Sequence, residues 1–179
     1  RHHLQVLENL ARQGDTKDMV RYIEKLNGQL NDTEKKFYCA NLTVNAVLNA
    51  YIDQAEKSGC DVAAKIYLPQ EVPFDELDIC AVLANALENA VNACLKFDDT
   101  EKRKIHLAAE LTDEQKIVIS VENPCAEPVA FDAEGMPVVV PREGHGIGLR
   151  SVDNITRKYN GMLRCEYKDG IFSLKAVMF

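Results

Sequence analysis

Four polar side chains share one stripe of an otherwise apolar segment, Leu83-Ala-Asn-Ala-Leu-Glu-Asn-Ala-Val-Asn-Ala-Cys94. At about 100° per residue on a helix, Asn85, Glu88, Asn89 and Asn92 fall on a single narrow face. A solvated helix face usually carries Lys, Arg and Glu, whose long chains keep both water and helix propensity. A seam made chiefly of neutral carboxamides needs partners wherever it is buried, and a ligand or a metal ion can be that partner. Taken alone, the segment also reads as an amphipathic helix whose polar side is rich in Asn. A second feature adds weight to the seam. Gly144-His-Gly-Ile-Gly-Leu149 places glycines at 144, 146 and 148 just before a helical pattern. Glycines let the backbone turn tightly and approach a ligand with no Cβ in the way. The helix behind them offers unpaired N–H groups and the positive end of its dipole, which suits phosphate.

The position of this turn limits what it can serve. A dinucleotide fold puts its glycines between the first strand and helix of a βαβ unit. Here they come late, and two strands follow, so NAD and FAD are disfavoured. No GxxxxGK[ST] occurs, which removes a P-loop.

The elements around these residues can be read in chain order. Residues 1–13 and 16–30 carry helical apolar stripes separated by Gly14-Asp15, giving an antiparallel helical hairpin over residues 1–33 that docks on its own domain or on a second copy. A third helix is expected over about 34–57, with Phe37, Leu42, Val44, Val47, Leu48, Tyr51, Ile52 and Ala55 as buried candidates and Ser58-Gly59 as its stop. A strand follows over 61–68, then the Asn-bearing helix from about Asp75 to Lys96. Residues 104–111 and 116–121 form a hairpin through Thr112-Asp113-Glu114. From Asn123 to Glu143 the alternation stops, and prolines 124, 128, 137 and 141 with Gly135 mark a long lid-like loop over residues 124–143. After Gly148 comes a helix of about ten residues, with Val152, Ile155 and Tyr159 inward, and then two strands joined at Lys168-Asp169-Gly170. His106 alternates on its strand and reads as structural or exposed.

The chain has 179 residues, 46% of them hydrophobic, enough for one good core. Its net charge of −7 argues against a sequence-independent nucleic-acid binder. No apolar run approaches the ~18 residues of a membrane span, so no direct membrane contact is expected. The six cysteines show no CxxC pair or metal-ligand spacing and read as reduced thiols. The chain opens inside a helical pattern, as a piece of something longer would.

The order of these elements resembles the ATP-binding domain shared by sensor histidine kinases, gyrase-type ATPases, Hsp90 chaperones and MutL proteins. The resemblance runs from about Phe37 to Phe179. It implies an α+β, two-layer sandwich of the Bergerat type, with a mixed, mostly antiparallel sheet and helices on one face, over residues 34–179. The leader Arg1-His2-His3-Leu4-Gln5-Val6-Leu7 and the ending Gly-His-Gly-Ile-Gly-Leu-Arg-Ser-Val with Lys158-Tyr159-Asn160-Gly161 are similar to the peptide-sensing quorum kinases. In that subgroup the phospho-accepting His lies a few residues before the position of Arg1, and His2 and His3 are polar residues of the hairpin.

The resemblance implies ATP and Mg²⁺ as cofactors. Asn89 corresponds to the residue holding Mg²⁺ on the ATP phosphates, and Asn85 and Asn92 line the same side. The hydrolytic relatives carry a water-activating Glu at the position of Asn85, and Asn cannot act as a general base. Phosphoryl transfer to a protein His is therefore implied. Gly144, His145, Gly146, Ile147, Gly148 and Leu149 are the phosphate turn, and Arg142 points either at a phosphate or into solvent. Most relatives carry Asp-x-Gly-x-Gly after the middle strand, where this chain has Asn123-Pro124-Cys125. Asn123 takes the place of the adenine-reading Asp, and its amide oxygen can still accept from an amino group. Phe131 stands in the lid without a clear phenylalanine-containing motif around it. The resemblance further implies a homodimer through the hairpin, a response-regulator partner, and a cytoplasmic domain of a protein anchored in the cell membrane. Two other readings follow from the same residues: a scaffold of this fold that has lost its nucleotide, and a protein Ser/Thr kinase of the same fold.

Overall fold

A computed structural model describes residues 36–138 and 147–179. The expected helical hairpin at 1–33, including His2 and His3, lies outside the described residues, as do Arg142, Gly144, His145 and Gly146. The elements run α1 (Leu42–Lys57), β1 (Asp61–Tyr67), α2 (Glu76–Cys94), a 3-10 turn (Thr100–Lys102), β2 (Lys104–Leu111), β3 (Ile117–Pro124), α3 (Ile147–Lys158), β4 (Met162–Lys168) and β5 (Ile171–Met178). One five-stranded sheet has the order β1-β2-β3-β5-β4. β1 and β2 are parallel, joined through α2 as a parallel pair requires, and every other pairing is antiparallel.

Strand alternation decides which face is covered. Ile105, Leu107 and Ala109 of β2, Ile117, Ile119 and Val121 of β3, and Phe172, Leu174 and Ala176 of β5 are buried. They form one core with Val44, Leu48 and Ile52 of α1, Ile79, Leu83 and Leu87 of α2, and Leu149 and Val152 of α3. The fold is therefore a mixed α+β two-layer sandwich with helices on one side, as expected from the sequence. The uncovered face is mixed: a largely apolar row with exposed Tyr67 and Met162 lies at one end, and polar rows fill the rest. The register lays a basic row, Lys65, Ala108, Ser120, Lys175 and Arg164, across all five strands. Beside it runs a row containing His106, Glu122, Ser173 and Glu166. His106 is thus exposed on the open face.

Two local expectations need correcting. α1 starts at Leu42, not near Glu34, because Asn41 caps it: its Oδ1 accepts from Val44 N at 3.0 Å. The residues before it are held in non-helical form by side chains of the helix itself. Asn45 Oδ1 accepts from Tyr38 N at 2.8 Å, and Asn49 Oδ1 accepts from Lys36 N at 2.8 Å. Phe37 and Leu42, expected to be buried, are 77% and 74% exposed. β3 also continues past Val121 to Pro124, so Asn123 is a strand residue paired with Phe172. A strand's last residue is a position that a proline can hold, having no N–H to give. Beyond it the lid-like loop contains ordered structure: Phe131 bridges Pro137, and Asp132 Oδ1 accepts from Glu134 N and Met136 N, both at 2.9 Å.

All six cysteines are free thiols, five of them buried and Cys125 half-exposed. Burial pushes Cys80 up to about 11 and Cys94 and Cys165 up to about 12. Among the described residues no helix is long and apolar enough to cross a membrane.

Candidate functional site

The Asn seam is carried by α2, whose start is fixed by chemistry at its first turn. Asp75 caps it, accepting from Leu77 N at 2.8 Å, and Glu76 and Asp78 place negative charge at the positive end of the helix dipole. Ala86, Leu87 and Ala90 are buried, while Asn85 and Asn89 are half-buried and Glu88 and Asn92 are exposed. The helix therefore turns its amides away from the core, along an edge that a ligand can reach. Asn85 Nδ2 donates to Ala81 O at 2.7 Å. Among the described residues Asn89 makes no hydrogen bond, so its carboxamide oxygen is available as a ligand.

Gly148 meets this seam. A Cβ built on Gly148 would stand 2.9 Å from Asn85 Oδ1 and 3.6 Å from Asn85 Cβ. The carboxamide occupies the space that a side chain there would take, so any larger residue would displace it. Among the described residues α3 runs from Ile147, which puts Gly148 and Leu149 at its described start. Leu149 is 6% exposed and packs its side chain into the core. Asn123 lies on the covered face of β3 and is 2% exposed. Its Nδ2 donates to Pro124 O at 2.9 Å, which leaves the Oδ1 as the acceptor. Gly148 is thus brought against Asn85, one turn from Asn89 on the same stripe of α2. Asn92 lies further along that stripe and is exposed.

The sequence reading placed Tyr159 on the inner side of α3 but missed its partner. Tyr159 Oη donates to Asp78 Oδ2 at 2.6 Å, and Lys158 Nζ donates to the same oxygen at 2.5 Å. Tyr159 Oη also accepts from Asp75 N at 3.3 Å, and its ring meets Phe74 edge-on at 5.2 Å. Asp78 and Tyr159 are 81 residues apart in sequence, beyond any local pattern. The hydrogen bond from Lys158, and then that from Tyr159, holds the Asp78 carboxyl below the usual Asp range. A depressed folded value stabilises the protein above the unfolded Asp value, about 3.9, and the contribution fades as pH falls through the folded one. The urea midpoint of the wild type should therefore fall more steeply below about pH 4 than that of Asp78→Asn. Parallel acid limbs would show that the tie contributes nothing.

A family model described as GHKL domain matches residues 74–179, more than half of the chain. Sensor protein PhoQ of Escherichia coli O157:H7 is 28% identical over 115 residues, covering 60% of this chain and 22% of PhoQ. The chain thus spans about a fifth of the length of that relative. The catalytic domain of histidine kinase ThkA, solved nucleotide-free, superposes with a TM-score of 0.58 at 20% identity, covering 77% of this chain and 92% of that one. Full-length ShkA in complex with AMPPNP gives 0.56 at 21% identity, over 85% of this chain and 33% of that one. Histidine kinase AdeS of Acinetobacter baumannii gives 0.51 at 17% identity, over 98% and 95%. At these identities the solved structures speak for the fold. The family match spans the α2 seam, the glycine contact and four of the five strands, and on that ground the chain belongs to the GHKL family.

Proposed function

We propose that the chain is the ATP-binding kinase region of a two-component sensor histidine kinase, and that the phosphoryl group it transfers goes to a histidine outside residues 1–179. The observation that carries this reading is Gly148 against Asn85: the described start of α3 set on a carboxamide seam. Donors at the end of α3 suit the phosphates. Asn89 would hold Mg²⁺, whose preference for oxygen ligands and few protein groups fits a half-exposed carboxamide. When bound, the ion supplies charge neutralisation on the phosphates. Asn85 lines the phosphate side beside Asn92, and Arg142, Gly144, His145, Gly146 and Ile147 complete it. Asn123 Oδ1 accepts from the adenine amino group. No carboxylate stands at the Asn85 position to activate water, so a side-chain acceptor is favoured over hydrolysis.

In the same reading the full-length protein pairs through the hairpin at 1–33, serves a response regulator, and holds this region on the cytoplasmic side of the cell membrane. The peptide-sensing quorum kinases remain the subgroup of choice, on the leader and on the Lys158–Gly161 ending.

The test is Mg-dependent binding of a non-hydrolysable ATP analogue. Asn89→Ala should fold normally and lose roughly 100-fold in affinity with Mg²⁺ present, by loss of a metal ligand. Equal affinity would remove Asn89 from its role. Wild-type protein at ligand about 100-fold above its Kd should gain about 2.7 kcal/mol. Absence of any thermal shift with millimolar ATP and Mg²⁺ would instead favour the nucleotide-free scaffold, which the change to Asn123 makes a live rival.

A further inference from the structure

We infer that Asp78, Lys158 and Tyr159 form a positioning latch that sets where Gly148 and the start of α3 sit over the Asn seam; this rests on the nucleotide reading above. α3 packs along α2 through the shared core, and a contact of a different kind marks each end. At its start Gly148 lies against Asn85. At its end Lys158 and Tyr159 grip Asp78. The two helices therefore run antiparallel, and a helix is a rod, so slip or tilt at one end moves the other.

The far grip is built for fixed geometry. One carboxylate oxygen takes both a phenol O–H and an ammonium N–H, and bonds to a charged acceptor are the stronger kind. The phenol oxygen also accepts from Asp75 N, so the residue that caps α2 joins the grip. Phe74 fixes the ring plane from the side, 74° from parallel. Three contacts of different direction hold one phenol, which leaves it little freedom to rotate or slide. None of these groups touches the seam. They act through α3, whose start must face a phosphate to be of use.

The test uses the whole chain with Tyr159→Phe, which keeps the ring on Phe74 and removes the hydroxyl, and Asp78→Asn, which keeps the shape and removes the charge. Affinity for a Mg–ATP analogue should fall about five- to ten-fold in each, since only part of the lost bonding is passed along α3 to the site. The double variant should lose no more than the worse single one, because both substitutions open the same latch. Amide hydrogen exchange without nucleotide should quicken at Gly148, Leu149 and Arg150, while β2 and β3 keep wild-type protection. Lower melting temperature with unchanged affinity and unchanged exchange at Gly148 would overturn the latch and leave a plain helix tie. Wild-type protein that binds no analogue at all overturns the nucleotide reading and the latch with it. Wild-type binding matched by both variants overturns the latch alone.

Discussion

Gly148→Ala is expected to fold about as well as the wild type and to bind Mg–ATP at least ten-fold more weakly, a loss of about 1.4 kcal/mol. The new Cβ would stand 2.9 Å from Asn85 Oδ1, closer than side chains normally approach. What it meets is the tip of a short side chain, which can turn aside. Turning costs the bond from Asn85 Nδ2 to Ala81 O, about 1 kcal/mol. Alanine returns up to about 1 kcal/mol of helix propensity. Stability is thus close to balanced, while the carboxamide that lines the phosphate side is driven from its place. Melting temperature and analogue affinity, measured on the same sample, separate the two effects. A variant that binds as tightly as the wild type would mean that the contact between Gly148 and the seam has no part in nucleotide binding.

Gly161→Ala should do the reverse and strip the fold of much of its stability. Its Cβ would lie 1.9 Å from Val177 O and 2.8 Å from Val177 C. These are backbone atoms of β5, and Val177 is paired with both Met162 and Val118, so they cannot yield without opening two ladders. Gly161 N also donates to Thr156 O at 2.8 Å, closing the end of α3. Forced overpacking against fixed backbone costs about 3–5 kcal/mol, a large part of a typical domain's total stability. The urea midpoint reads it. Gly170→Ala is the control: its φ of +82° strains an alanine, but nothing stands within 4 Å of the new atom. It should lose only about 1 kcal/mol. Near-equal midpoints for the two variants would refute the steric account.

Much of this was visible in the residues alone. The alternation of Ile117, Ile119 and Val121 named the covered face of β3, and Asp75 named the start of α2. The Asn stripe and the glycines named a meeting place that Gly148 and Asn85 occupy. What escaped was set by partners far along the chain. Nothing near Lys36 says that Asn49 will hold its backbone out of a helix, so Phe37 and Leu42 read as core. Pro124 ends the alternating pattern for the eye, yet Ile171 supplies a strand for it to pair with. Tyr159 looks like packing until Asp78 is placed beside its hydroxyl.

The bare side of the sheet has a further consequence. Rows of opposite sign there sit two residues apart along each strand, about 7 Å, against a screening length near 8 Å in physiological salt. At such spacing each stripe quenches its neighbour within a few water layers. That surface casts almost no field into solution: it will not draw a nucleotide or a charged partner from a distance. The chain's surplus of negative charge must make itself felt from other parts of the molecule.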